Sequence, residues 1–146
     1  MESNTPNCTQ ARHPYVIIID DDHDDREMLS ASLELLGINT KSFDCGEKAL
    51  FYLQLVTDSS ELPILIISDY NMPRMNGQQV LMSIKTNNAT KDIPVVLFST
   101  HMPRFVKKPA IHLGALKCYT KPASYLEFNT QVGIFKDLAY SLMPAN

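Results

Sequence analysis

The stretch Tyr15-Val-Ile-Ile-Ile-Asp-Asp21 is a short run of mostly β-branched residues that stops abruptly at two acids. A continuous apolar run of this length, without alternating polar positions, indicates a strand that is buried on both faces of its sheet. Similar runs occur at residues 64–67 and 93–98, the second with a proline near its start. The sequence therefore predicts at least three interior strands.

Apolar residues at helical spacing separate these runs: Leu29, Leu33 and Leu36, then Ala49, Leu53 and Val56, then Val80, Leu81 and Ile84. Weaker strand patterns at 38–43 and 117–120 and a long helical stripe at 128–142 continue the alternation. Strands that alternate with helices favour right-handed crossovers and a parallel sheet covered on both faces. We predict an α/β fold, a doubly wound five-stranded parallel sheet in three layers, at residues 14–143, after a poorly ordered tail at 1–13.

The composition excludes several classes of function. The net charge of −3 and the pI of about 5.7 argue against a surface that binds nucleic-acid phosphates. Cys8, Cys45 and Cys118 lack CxxC spacing, which argues against a disulfide framework and a thiolate zinc site, and favours a cytoplasmic location. Residues 1–12 contain no long apolar run, so we predict neither a signal peptide nor a membrane anchor.

Polar residues follow the predicted strands at the point where each strand ends. They are Asp20 and Asp21 after the first, Asp69 after the third, Ser99 and Thr100 after the fourth, and Lys121 after the fifth. Because ligands of doubly wound folds bind beyond the carboxyl ends of the strands, these side chains are expected to converge. Asp24 and Asp25 are interpreted instead as caps of the first helix.

Packing three carboxylates together is unfavourable, because like charges raise one another's pKa unless a cation lies between them. Oxygen ligands without His or Cys suit Mg²⁺, which shares its coordination sphere with phosphate oxygens. One carboxylate can then act as a nucleophile and form an aspartyl phosphate, while a lysine and a hydroxyl hold the other phosphoryl oxygens. The pattern therefore points to phosphoryl transfer.

These residues resemble the signature of response-regulator receiver domains in four places: Asp20-Asp21, Ser68-Asp-Tyr-Asn-Met-Pro-Arg-Met-Asn-Gly77, Ser99 and Lys121-Pro122. The resemblance covers roughly residues 14–143. It implies a flavodoxin-like, CheY-like fold and a single-domain response regulator of a two-component phosphorelay. Such a domain is a phosphoacceptor and not a conventional enzyme, since it catalyses only its own phosphorylation and dephosphorylation.

The resemblance also implies a role for each matched residue. Asp69 would be the phosphoacceptor, and Ser99 and Lys121 would hold the phosphoryl group. Mg²⁺ would be bound by the following residues: Asp21 directly, Asp20 mainly through water, Asp69, and Asn71 through its backbone carbonyl. The donor would be a sensor histidine kinase or a histidine phosphotransfer protein, and the output would be altered binding of a target protein or onward phosphotransfer. No membrane or nucleic-acid partner is implied.

Two features depart from the family pattern. Cys118 stands where receivers commonly carry a switching aromatic residue, and Tyr119 next to it is expected on the opposite face of the sheet. Cys118 is interpreted as a buried, inert thiol rather than a redox sensor. Pro109 interrupts the fourth helical segment, which is therefore predicted to be short, late-starting or irregular. His101 is interpreted as an exposed loop residue, with an influence on phosphoryl hydrolysis as the alternative.

Three other functions fit parts of the sequence. A haloacid-dehalogenase-like phosphatase would use Asp20 as nucleophile and Asp22 as acid, but it needs a later acidic pair for its metal. A calcium loop starting at Asp20 lacks the required glycine at its sixth position, where Asp25 stands. A pseudo-receiver would keep the fold and signal without phosphate; the intact site residues argue against it, whereas Cys118 leaves it open.

Overall fold

The computed structural model describes residues 14–144; the predicted tail at 1–13 lies outside the described residues. The five strands are β1 (Tyr15–Ile19), β2 (Asn39–Phe43), β3 (Leu65–Ser68), β4 (Val95–Ser99) and β5 (Lys117–Thr120). The five α-helices are α1 (His23–Leu35), α2 (Gly46–Leu55), α3 (Gly77–Thr86), α4 (Arg104–His112) and α5 (Tyr125–Leu142). A short 3₁₀ helix, Ser59–Glu61, precedes β3.

All four strand pairs are parallel, and the strand order is β2-β1-β3-β4-β5. One hydrophobic cluster joins the sheet to α2, α3 and α4, and a second joins it to α1 and α5. Helices therefore cover both faces, and the prediction of a doubly wound three-layer fold is confirmed. The predicted strands at 64–67 and 93–98 begin one or two residues too early.

The central strands supply most of both clusters, because successive strand residues point to opposite faces. Ile17 and Ile19 of β1 pack into the cluster with α2 and α3, whereas Val16 and Ile18 pack against α1 and α5. Every residue of β3 and β4 is also buried. The edge strands β2 and β5 are largely exposed, which explains why their sequences gave weaker strand patterns.

The caps of the helices agree only partly with the sequence. The carboxylate of Asp22 accepts the backbone N–H of Asp25 at 3.0 Å and caps α1. The interpretation of Asp24 or Asp25 as the cap was therefore wrong, because α1 begins one residue before Asp24. In α3, Asn76 and Gln79 form a reciprocal capping box.

The fourth helix has nine residues and contains Pro109 in its interior, so the prediction of a short helix is confirmed. Proline lacks the N–H that would otherwise bond to the carbonyl of Phe105 one turn earlier. The loop before the helix is anchored by Met102, which is buried in the cluster beneath α4. Among residues 14–144, no helix is both long and apolar enough to cross a membrane.

Candidate functional site

The polar residues at the strand ends are held by backbone hydrogen bonds that extend the sheet by one residue. The N–H of Asp20 donates to the carbonyl of Phe43 at 3.1 Å, and the N–H of Asp69 donates to Ile19 at 2.8 Å. The N–H of Lys121 donates to the carbonyl of Ser99 at 2.8 Å. The site is therefore built on the rigid sheet and not on free loops.

Three of the predicted site residues form an acidic triad, which consists of Asp20, Asp21 and Asp69. Each offers a carboxylate oxygen, and these oxygens all lie within 4.8 Å of one another. Asp20 and Asp69 are buried, whereas Asp21 is exposed at the opening. An all-oxygen donor set that is partly open to solvent fits Mg²⁺, which retains several waters when it binds to proteins.

The electrostatics of the triad favour a cation. Burial raises the pKa of Asp69 to about 6; the charge of Lys121 opposes this rise, and the charges of Asp20 and Asp21 add to it. Burial likewise raises the pKa of Asp20, against the hydrogen bond from Lys121. Both carboxylates are thus poorly stabilised in their ionised form, and a divalent cation would relieve this.

Lys121 provides a positive charge on the inner side of the triad. Its Nζ lies 2.5 Å from Asp20, 3.0 Å from Asp25 and 3.9 Å from Asp69. Burial by itself would lower the pKa of Lys121, but the hydrogen bonds and charges of these carboxylates outweigh it and raise the pKa. The ammonium group is therefore charged and fixed in place beside Asp69.

The contact between Asp25 and Lys121 is not predicted by the sequence analysis. Asp25 was interpreted as a helix cap, yet its carboxylate binds Lys121, which lies 96 residues later in the chain. The available signal was its position in the first turn of a helix that starts directly after Asp20 and Asp21. An acid there lies at the same edge of the sheet as the end of β5.

Ser99 and Asn71 line the other side of the site. Ser99 is fully buried and hydrogen-bonds to Asp69, which lowers the pKa of that carboxyl. The side-chain N–H₂ of Asn71 donates to the hydroxyl of Ser99 at 3.4 Å and to the carbonyl of His101 at 3.1 Å. Asn71 thus connects the loop after β3 with the loop after β4.

An open cleft of about 330 Å³ gives access to these groups. Its lining contains the following residues: Asp21, Asp22, Asp25, Asp69, Asn71, Ser99, Thr100 and Lys121. Asp20 is at the base of the site, where one carboxylate oxygen accepts the N–H of Asp22 at 2.9 Å and the other binds Lys121. The structure therefore brings together every site residue that the sequence predicted.

Gly77 shapes the loop that carries Asp69. A Cβ atom at this position would lie 2.4 Å from the carbonyl oxygen of Asp69 and 2.8 Å from the Cα of Tyr70. The N–H of Gly77 also donates to the carbonyl of Tyr70 at 2.8 Å. Glycine is needed here because two backbone segments approach closely, so its role at the turn is steric.

Cys118 and Tyr119 point to opposite faces of β5, as expected. Cys118 packs against the cluster beneath α4, and Tyr119 packs edge-on against Phe135 of α5, with ring centroids 5.3 Å apart. Burial raises the pKa of the Cys118 thiol, with a smaller opposing effect from Lys107. Tyr119 therefore cannot replace an aromatic switch at 118. Cys118 is only half-buried, so the interpretation as a buried thiol was wrong, whereas the raised pKa agrees with an unreactive thiol.

The geometry gives little support to a dehalogenase-like phosphatase. Asp22, which would be its acid, caps α1. Glu127 lies in the first turn of α5, and Asp137 is 80% exposed near Lys136 on the same helix. Neither residue belongs to the acidic triad.

Comparison with protein families gives one match that covers most of the chain. Residues 16–132 match the response regulator receiver domain family. The two-component response regulator ARR9 of Arabidopsis thaliana is 32% identical over 132 residues, and the alignment covers 79% of this chain and 56% of that relative. The two-component response regulator ORR8 of Oryza sativa subsp. indica is 30% identical, with 78% of this chain and 91% of the relative covered.

Solved structures with the same fold include two response regulators. The phosphorylated cyanobacterial phytochrome response regulator RcpA has a TM-score of 0.78 at 25% identity, with 90% of this chain and 97% of that chain covered. The Mn²⁺-bound form of response regulator Rcp1 has a TM-score of 0.74 at 28% identity, with 90% and 100% covered. These solved structures share the overall fold of this chain.

Proposed function

This chain belongs to the response regulator receiver domain family of two-component systems, and from that membership we propose that Asp69 accepts a phosphoryl group. The observation that carries the proposal is the convergence of the acidic triad, Ser99 and Lys121 in one cleft. Four separate strand ends supply these groups, and they form the combination that aspartyl phosphorylation requires.

The arrangement suggests a role for each residue in the transfer. A carboxylate oxygen of Asp69 attacks the phosphorus of the donor, and the bond from phosphorus to the donor's leaving nitrogen or oxygen breaks. Lys121, 3.9 Å from Asp69, pairs with the negative phosphoryl oxygens, and the Ser99 hydroxyl donates to another of them. Catalysis then consists mainly of positioning and charge stabilisation.

The donor set of the triad fits Mg²⁺, which when bound neutralises charge on phosphoryl oxygens. Asp21 and Asp69 would bind the ion directly, Asp20 mainly through water, and Asn71 through its backbone carbonyl. Hydrogen bonds already constrain Asp20, whose two oxygens accept from Asp22 and Lys121. The structural neighbour Rcp1 was solved in a Mn²⁺-bound form, which supports a divalent cation as the ligand of this triad.

We further propose a donor and an output. The donor is a sensor histidine kinase or a histidine phosphotransfer protein in the cytoplasm. Phosphorylation shifts a pre-existing equilibrium between two conformations and so alters the binding of a target protein, or the phosphoryl group passes onward in a relay. The domain catalyses its own phosphorylation and dephosphorylation and acts on no other substrate.

Mass spectrometry of the intact protein tests this proposal. Incubation with acetyl phosphate and Mg²⁺ is expected to add one phosphoryl group to the wild type and none to Asp69→Asn. Omission of Mg²⁺ is expected to abolish the adduct. A wild type that stays unmodified although it binds Mg²⁺ would contradict the proposal and favour the pseudo-receiver.

A further inference from the structure

Asp25 contacts the site without belonging to the acidic triad. Its backbone N–H is held by the carboxylate of Asp22 at 3.0 Å, which fixes the first turn of α1. Its side chain then extends to Lys121, where the carboxylate oxygen lies 3.0 Å from Nζ. Water ordinarily solvates the carboxylate of an acidic residue in the first turn of a helix. The pairing of Asp25 with Lys121 is therefore a specific feature of the tertiary structure.

Lys121 is therefore shared among three carboxylates at unequal distances. Its Nζ is in contact with Asp20 and Asp25, whereas Asp69 lies at 3.9 Å, beyond hydrogen-bonding distance. The ammonium group also lies 5.9 Å from the centroid of the Phe98 ring. The lysine side chain is 11% exposed, so these neighbours, and not bulk water, decide its position.

We propose that Asp25 is a positioning residue that holds Lys121 in its resting place and competes with a phosphoryl group on Asp69 for the same ammonium. The inference rests on the proposed function, because it concerns how Lys121 engages the phosphorylated site. An ammonium has three donor hydrogens, and two of them are already directed at Asp20 and Asp25. Only one hydrogen is left for the phosphoryl oxygens, so an interaction that uses more than one hydrogen requires Lys121 to loosen one of these contacts.

Of the two contacts, the one with Asp25 is the easier to give up. Asp25 is 39% exposed at its side chain, so water can solvate its carboxylate after Lys121 leaves, whereas Asp20 at 7% exposure would be left desolvated. Asp25 therefore sets the cost of moving Lys121 toward Asp69. Removing its charge should strengthen the binding of a phosphoryl group through Lys121.

Beryllofluoride, which binds carboxylates as a phosphoryl analogue, provides the test at saturating Mg²⁺. The chain contains no tryptophan, so binding is measured by titration calorimetry or ¹⁹F NMR. Asp25→Asn is expected to bind beryllofluoride about three- to fivefold more tightly than the wild type, the upper part of the range expected for one partly exposed ion pair. Asp24→Asn removes an equal charge from the same helical turn, and its affinity is expected to stay within about twofold of the wild type.

A double-mutant cycle with Lys121→Met distinguishes action through the lysine from a direct effect of charge. If Asp25 acts through Lys121, Asp25→Asn has no effect on beryllofluoride affinity in the Lys121→Met background. An equal gain in both backgrounds would overturn the positioning role, and so would wild-type affinity in Asp25→Asn alone. Asp25→Glu keeps the charge and is expected to bind beryllofluoride with an affinity close to that of the wild type, which guards against a folding artefact.

The outcomes separate this inference from the proposed function. A wild type that binds neither beryllofluoride nor a phosphoryl group overturns both. A wild type that binds beryllofluoride, with an Asp25→Asn affinity equal to that of Asp24→Asn, overturns only the role of Asp25.

Discussion

At the scale of single residues, the site holds negatively charged carboxylates in buried positions where their ionised form is poorly stabilised. Asp20 and Asp69 are buried beside each other, and one lysine offsets their charge only in part. Such an arrangement lowers the stability of the folded chain when no cation is bound, because the unfolded chain would solvate both carboxylates. Binding of a cation or a ligand then compensates for this loss.

Asp69→Asn is expected to stabilise the metal-free protein at pH 7. The pKa of Asp69 is about 6 in the folded protein against an ordinary value of 3.8, so ionisation favours the unfolded chain. The resulting loss of folding stability begins as the pH rises through the interval between those two pKa values, and it is complete above that interval. The gain should be about 1–3 kcal/mol at pH 7 and should shrink as the pH falls toward 4.

Urea denaturation in the presence of EDTA at several pH values measures this effect. Asp137→Asn removes a carboxylate that is 80% exposed, and the change in stability that it causes relative to the wild type should not vary comparably with pH. A gain for Asp69→Asn that is constant with pH would contradict the electrostatic explanation.

At the scale of elements, the turn between β3 and α3 depends on one close approach of the backbone. Gly77 is the first residue of α3, and it lies so close to the carbonyl oxygen of Asp69 that no side chain fits between them. The capping box of Asn76 and Gln79 fixes the start of the same helix. The position of Asp69 therefore depends on packing within the turn as well as on the sheet.

Gly77→Ala is expected to destabilise the protein by about 1–3 kcal/mol, because its methyl group would displace the backbone at Asp69. It is also expected to weaken binding of Mg²⁺ and beryllofluoride, since Asp69 moves with that backbone. Gly133→Ala is the matched control: no atom lies within 4 Å of the added Cβ on α5, so stability should stay equal or rise by up to about 1 kcal/mol.

Denaturation curves and calorimetric titrations check both variants. Equal stability of Gly77→Ala and Gly133→Ala would show that the turn relaxes freely, and the steric argument would then fail.

At the scale of the whole molecule, the parallel sheet is what assembles the site. All strands run in the same direction, so their carboxyl ends share one edge, and residues far apart in sequence meet there. Lys121 contacts Asp20 across 101 residues of chain. A ligand at this edge therefore connects the first, third, fourth and fifth strands and should stabilise the fold as a unit.

Mg²⁺ is expected to raise the melting temperature of the wild type. At ten times its dissociation constant, a ligand that binds only the folded state adds about 1.4 kcal/mol, which corresponds to a few degrees for a domain of this size. Asp21→Asn should lose most of this shift, and Asp24→Asn should keep it. Thermal denaturation monitored by circular dichroism, with and without Mg²⁺, provides the measurement; an equal shift in all three proteins would place the ion elsewhere.

The sequence by itself was sufficient for the order of strands and helices. Patterns of hydrophobic residues depend on which faces of an element are buried, and β1, β3 and β4 are buried on both. The same alternation located the residues that follow each strand, including Asp69 and Lys121. The family resemblance then assigned these residues their roles, which stay predictions until the chemistry is measured.

Only the tertiary structure decided how those side chains are paired. The position of Asp25 in the first turn of α1 places it at the edge of the sheet where β5 ends, but it does not decide whether the carboxylate caps the helix or binds Lys121, because that difference lies in a contact across 96 residues. Nor does the sequence reveal that Gly77 faces the carbonyl of Asp69. Local patterns record burial and periodicity, whereas charge pairing and close backbone contact depend on where distant segments meet after folding.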